Sequence, residues 1–304
     1  MRFLRFLLVL VMLPCAAFAA DEAKLGARHL IKIDKLEREY YLYKPANMGN
    51  DARPLVVVLH GGAGKPAGAA RMTGFSELAD QENFMVAYPA GAGRVPTWNA
   101  GKCCGYAERR NIDDVAFIRA MVEEIRKNNA VDPLRIYATG MSNGAMMAYR
   151  LGCEMSDVFS VVAPVSGAMN VYTCVPTQRP SLVVFNALDD KHVLYQGGVS
   201  ETGLRRLFGQ APERDSSVAD AMNFWMKQSL CRKFPQIERY DDYSISNYFC
   251  AEDREVRLFT LNKGGHSWPG GKKGYEGADE PYADLSATRE MWKFFMRHPP
   301  RPLF

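Results

Sequence analysis

The sequence is poor in most of the features that would assign it quickly. Beyond the N-terminal region no apolar stretch approaches the roughly 20 consecutive residues that a membrane-spanning helix needs. There is no run of like charge. Acids and bases alternate, as from Lys32 to Glu39, and the formal net charge is only +4. That excludes the basic face of a nucleic-acid binder and any strong attraction to an acidic membrane surface. Histidine is scarce, five in 304 residues, and no Cys-x-x-Cys pair or histidine cluster accompanies the cysteines, so no metal site is expected. No internal repeat, low-complexity tract or linker divides the chain, which argues for one domain.

What is present begins with an export signal. Arg2 and Arg5 precede an apolar run that ends in small residues, with Ala17-Phe18-Ala19 as an A-x-A cleavage site. Residues 1–19 therefore read as a signal peptide and 20–304 as the mature domain, secreted or periplasmic. Loss of Arg2 and Arg5 lowers the net charge to +2, and loss of Cys15 takes seven cysteines to six. An even number in an exported chain points to disulfides. Proximity favours Cys153 with Cys174 and Cys231 with Cys250. Cys103 and Cys104 are neighbours whose Cα atoms lie about 3.8 Å apart on an ordinary chain, too close for an unstrained bridge. Two free thiols or a crossed pairing remain open for them.

Strands alternate with helices along the chain. Two strands, Ala27–Lys35 and Glu39–Lys44, are joined by a tight turn. The run Pro54–Leu59 is continuously apolar, as suits a strand buried on both faces. About eight strands are expected, the first two antiparallel and the rest parallel, covered by helices on both faces. Asp113 and Asp114 precede a helix with apolar positions Val115, Ile118, Val122 and Ile125, and both read as capping acids.

The chemistry centres on Gly140-Met141-Ser142-Asn143-Gly144, where a short apolar run ends and a helical pattern begins. This strand–turn–helix arrangement holds a serine in a sharp turn and exposes its hydroxyl. A serine nucleophile needs a general base. On this architecture the order is serine, acid, histidine, which removes His29 and His60. His298 lies in a His-Pro-Pro-Arg-Pro tail. Of the two that remain, His266 sits between glycines in a loop after the last strand, the place where open α/β sheets build their sites. His192 follows the preceding strand, whose loop must supply the acid. That acid is Asp189 or Asp190, and spacing does not choose. The Asn143 N–H, at a helix N-terminus, and the Gly62 N–H, in the His60–Gly64 turn, are candidates for an oxyanion hole. Trp98, Tyr195 and Trp268 are candidate pocket walls, with core packing as the competing assignment.

Together, LHGGAG, TWNAGKCCG, NIDDVAFI, YATGMSNGAMMAYRL, APVSG, DDKHVLYQGG and GGHSWPG resemble the secreted esterases that include polyhydroxybutyrate depolymerases and feruloyl and acetylxylan esterases. The resemblance runs from Pro54 to the final helix. It implies the α/β-hydrolase fold and hydrolysis of small or oligomeric esters through an acyl-enzyme, without a cofactor. It also selects the acid. The family places it five residues before the tyrosine of a Val-Pro-Tyr…Gly-Gly block, and counting back from Tyr195 gives Asp190. The chain departs from that pattern at Leu194, in place of proline, and at Asn186-Ala187-Leu188, where members often carry His-Gly-Thr. The resemblance also supports the Cys153–Cys174 and Cys231–Cys250 pairs. A serine peptidase on the same fold and a non-catalytic binding protein are the rival expectations. The first would want a selecting cap or propeller domain, and the second a lost triad member.

Overall fold

The computed structural model describes residues 24–202 and 214–298. The expected signal peptide, residues 299–304 and residues 203–213 of the irregular stretch before the Val218 helix lie outside that range.

Among the described residues ten strands form one sheet: β1 (Ala27–Ile33), β2 (Leu36–Tyr43), β3 (Arg53–Leu59), β4 (Met85–Pro89), β5 (Val131–Met141), β6 (Val161–Val165), β7 (Ser181–Ala187), β8 (Gln236–Arg239), β9 (Tyr243–Phe249) and β10 (Glu255–Leu261). Their order is β1-β2-β4-β3-β5-β6-β7-β10-β9-β8. The block from β4 to β10 is parallel throughout. The β1–β2 hairpin joins it antiparallel at one edge and the β9–β8 hairpin at the other. The eight expected strands are all present. The additional pair is β8 and β9. Their sequence carries a weak apolar pattern because they form an edge: every residue of β8 is exposed.

Seven helices accompany the described strands: α1 (Pro66–Thr73), α2 (Phe75–Glu82), α3 (Gly105–Arg109), α4 (Asp114–Asn128), α5 (Asn143–Glu154), α6 (Val218–Gln228) and α7 (Ala287–Arg297). The sheet divides two cores. Leu55, Val57 and Leu59 of β3 turn toward α4, α5 and α6, while Val56 and Val58 turn toward α1, α2 and α7. Alternation along the strand thus explains why β3 is apolar from Pro54 to Leu59: each face meets a helix layer. Aromatic stacking closes the second layer, with Phe84 on Trp292 at 4.1 Å and Tyr137 on Phe295 at 4.4 Å between ring centres. Burying side chains of this size contributes about 1.5–3 kcal/mol each.

The acidic pair at the start of α4 divides its work. Asp113 caps the helix, accepting from the Ala116 N–H at 2.8 Å. Asp114 corrects the expectation of a second capping acid. It is fully buried, ion-paired to Arg38 of β2 at 2.7 Å, and accepts the Asn99 N–H at 2.7 Å. Burial pushes its carboxyl above the ordinary range, against the pull of Arg38. Its task is to tie β2 and the 91–110 loop to α4.

Cys153 pairs with Cys174 and Cys231 with Cys250, closing chain segments of 21 and 19 residues. Loops of that size stabilise by about 3 kcal/mol each in the chain-entropy model. Cys103 and Cys104 are bonded to each other, across a cis peptide. The Cα spacing of about 3.8 Å between neighbours holds only for a trans link. No described helix is long and apolar enough to cross a membrane.

Candidate active site

β5 ends at Met141 and α5 begins at Asn143, leaving Ser142 alone at the bend with φ 57° and ψ −123°. A positive φ at a non-glycine residue costs about 1–3 kcal/mol and persists only where surroundings enforce it. Here they do. The Ser142 N–H donates to Val165 O at 3.0 Å, and Ser142 O accepts from the Met146 N–H at 2.9 Å. The flanking glycines answer to close approach: a Cβ at Gly144 would sit 2.4 Å from Leu59 O, and one at Gly140 2.7 Å from the same atom. The elbow is wedged against the end of β3.

The loop after β10 presents His266. Its Nδ1 lies 2.8 Å from Asp190 Oδ2. Asp190 is 2% exposed, and its other oxygen accepts the N–H groups of His192 and Val193 at 2.8 and 2.9 Å. The carboxylate is therefore fixed before it meets the ring. Asp189, the alternative left open by spacing, accepts from the Gly265 N–H at 2.8 Å and the Gly264 N–H at 3.3 Å. The two adjacent acids thus hold one loop in two ways, one by its ring and one by its backbone. Asp279 adds a third hold, accepting the His266 N–H at 2.7 Å. It packs so tightly on Gly265 that a Cβ there would lie 2.4 Å from its carboxylate.

The His60–Gly64 turn runs alongside the elbow, with a Gly61 Cβ position 3.5 Å from Ser142 Cβ and a Gly62 Cβ position 3.9 Å from Asn143 Cβ. Among the described residues the Gly62 N–H has no hydrogen-bond partner. The Asn143 N–H belongs to the first turn of α5, where backbone donors have no intrahelical acceptor. His60 is buried beneath this turn. Its Nδ1 meets Gly61 O at 2.7 Å, and its Nε2 accepts the Gly91 N–H at 2.8 Å. Burial lowers its pKa to about 4, so it stays neutral.

Ser142, His266, Gly62 and Asn143 all line one cavity of about 650 Å³. Among the described residues no hydrogen bond joins Ser142 to His266. Such bonds often tighten only around substrate. Of the three aromatic candidates, Trp268 lines the cavity and is anchored by Nε1 donating to Thr288 Oγ1 at 2.9 Å. Trp98 does not. It is fully buried behind Asn143, whose side-chain amide accepts the Trp98 N–H at 2.7 Å and donates to its carbonyl at 3.0 Å. Its indole N–H donates to His60 O at 2.9 Å. Tyr195 also lies off the cavity, its hydroxyl 3.0 Å from Thr260 Oγ1 on β10. His192, the other histidine that chain order left as a candidate base, also lines the cavity, with its ring tilted 31° on His266 at 4.8 Å. Asp279 carried no signal in the sequence, lying in a polar, glycine-rich loop with no periodicity. Among the described residues no group of three or more His, Cys, Asp and Glu side chains is placed to hold a metal.

Comparison with solved structures shows the same fold. Acetyl xylan esterase from Aspergillus awamori superposes with a TM-score of 0.57 at 14% identity, covering 80% of this chain and 94% of that one. A thermostable esterase gives 0.57 at 15% identity, covering 91% and 64%. The architecture is that of the α/β-hydrolases. In sequence, feruloyl esterase B of Piromyces equi is 28% identical over 75% of this chain and 42% of its own length. Poly(3-hydroxyalkanoate) depolymerase C of Paucimonas lemoignei is 29% identical over 58% of the chain. The chain spans 42% of the length of each of these two relatives. The putative esterase NocK of Nocardia uniformis subsp. tsuyamanensis is 30% identical over 75% of this chain and 69% of its own length. With a family model for esterase PHB depolymerase matching residues 38–175 as well, the chain belongs to the esterase PHB depolymerase family.

Proposed function

We propose that this protein is a serine carboxylic-ester hydrolase working through an acyl-enzyme. Ser142 Oγ attacks the ester carbonyl, His266 takes its proton and passes it to the departing alkoxide, and water then releases the acid by the reverse sequence. Asp190 fixes the imidazole tautomer and stabilises the imidazolium. The Gly62 and Asn143 N–H groups receive the developing oxyanion. One observation carries the reading: a buried, pre-bonded Asp190 holds His266 at 2.8 Å on a cavity shared with a serine in a strained elbow.

The names of the relatives suggest two substrate classes, short hydroxyalkanoate oligomers and feruloyl or acetyl esters of plant polysaccharide. Trp268 is the aromatic wall for either. The paired cysteines and the N-terminal leader fit an exported enzyme. Ser142→Ala is expected to lower hydrolysis of p-nitrophenyl butyrate by about 10⁴-fold or more. A phosphonate ester should label wild type at Ser142, read by peptide mass spectrometry. Retained activity, or label elsewhere, would sink the assignment.

A further inference from the structure

The cavity is unevenly charged. Among the described residues four cationic side chains line it, Lys65, Arg71, Lys272 and Lys273, against one carboxylate, Asp279. That carboxylate is already engaged by the His266 N–H. Lys273 is paired with Glu280 at 2.5 Å, and Arg71 reaches Gly274 O at 3.5 Å. Lys65 and Lys272 make no side-chain hydrogen bond or ion pair among the described residues. Glu276 and Glu280 belong to the same loop as Lys272, but neither lines the cavity.

The cations share one wall. Lys65 immediately precedes α1, whose first turn contains no acid, and the Lys272 N–H donates to Met72 O of α1 at 3.0 Å. The same cavity is also lined by the apolar side chains of Met141, Met146, Val193 and Trp268. The net excess of three positive charges lining this cavity exceeds the +2 that the chain keeps once Arg2 and Arg5 are set aside. Exposed lysines are cheap to keep in water, so their cost explains nothing. Their placement does bear on function, because a concave wall of one sign concentrates its field on whatever enters.

We propose that this wall recognises a carboxylate carried by the substrate a few bonds from the scissile ester, so that the enzyme prefers anionic esters. The inference rests on the ester-hydrolase reading above. The carboxylate has two possible chemical sources. It sits on the alcohol side in an O-acylated hydroxy acid, and on the acyl side in a half-ester of a dicarboxylic acid. In both, the apolar remainder lies on the methionine and tryptophan floor while Lys65 and Lys272 meet the charge.

The test compares matched pairs on the purified full chain. For the alcohol side these are O-acetyl-3-hydroxybutyrate and its methyl ester, and for the acyl side p-nitrophenyl hemisuccinate and p-nitrophenyl butyrate. At an ionic strength of about 0.01 M the anionic member of at least one pair is expected to lead by about tenfold in kcat/KM, shrinking severalfold at about 0.5 M salt. Lys65→Gln and Lys272→Gln should each cut that lead about 2- to 5-fold, mainly through KM. Lys127→Gln, in the last turn of α4 and off the cavity, should leave it intact. No lead in either pair, or a lead unchanged in the Lys65→Gln, Lys272→Gln double variant, would overturn the proposal. Calorimetric binding of the two hydroxybutyrate esters to Ser142→Ala separates this idea from the mechanism. If wild type hydrolyses no member of either pair, the esterase reading falls. Tighter binding of the carboxylate member would still sustain the wall, and equal binding would remove it.

Discussion

Two loops flank Ser142, one after β3 and one after β10, and each brings a histidine to the cavity. His60 is 1% exposed, with both ring nitrogens committed to backbone groups of its own neighbourhood. His266 is half-buried, with Nδ1 committed to a carboxylate. The same residue type at equivalent strand ends thus serves two purposes. Nearness to the serine does not separate them, since both line the cavity. What separates them is the partner on the ring. Backbone groups hold a neutral imidazole in place, whereas a buried carboxylate stabilises the imidazolium that a general base must become.

The widest gap between the two should appear in rates. His266→Ala and Asp190→Asn are each expected to lower kcat/KM on p-nitrophenyl butyrate about 10⁴-fold. His60→Gln should stay within about a hundredfold, acting only through a shift of the Gly62 turn. A deeper loss at His60 than at His266 would reverse the assignment. Asp189→Asn sharpens the comparison further. It weakens hydrogen bonds to the Gly264 and Gly265 N–H groups but leaves the ring partner, so a loss of about tenfold is expected. A larger loss at Asp189 than at Asp190 would transfer the role of the acid.

Effects on stability come next. Arg38→Met leaves the Asp114 carboxyl buried without its cation, and denaturant unfolding should show a loss of about 3–5 kcal/mol. A change under about 1 kcal/mol would mean that the pair does not tie β2 to α4. The smallest effect concerns His60 and acid. Its pKa is about 4 in the fold, against 6.5 ordinarily, so the unfolded chain binds the proton first as pH falls. The contribution is present above pH 6.5, is lost between pH 6.5 and 4, and amounts to about 3 kcal/mol. Scanning calorimetry of His60→Gln should show a flatter fall of Tm across that window. An unchanged slope would show that His60 does not titrate on unfolding.

Much of the candidate site could be read from the chain because its parts are ordered and histidine is scarce. The serine elbow, the acidic loop and the late histidine follow one another, and few alternatives exist at each step. Reading failed where one residue type has two physical uses. Asp113 and Asp114 look alike at a helix start, yet one is solvated at the cap and the other lies beneath Arg38. Trp98, in a glycine-rich loop beside site motifs, has the setting of a pocket residue. It is buried because Asn143 grips its backbone from the far side of the elbow. The β8–β9 hairpin was missed because an edge strand is wetted on too many sides to carry the apolar pattern that reveals a strand.

By itself the sequence determined the alternation of buried strands and amphipathic helices, the serine in its glycine-framed turn, and an acid confined to two adjacent positions. These depend on local periodicity, steric demands of the turn and chain order, all of which are written residue by residue. The tertiary structure showed that Asp190, which the family resemblance had selected, meets the ring, and it alone decided which histidine is locked to backbone and that four distant cations share a cavity with Ser142. Those are matters of direction and distance between segments up to two hundred residues apart. No local pattern encodes them, because they arise only when the sheet brings the ends of β3, β5, β7 and β10 together.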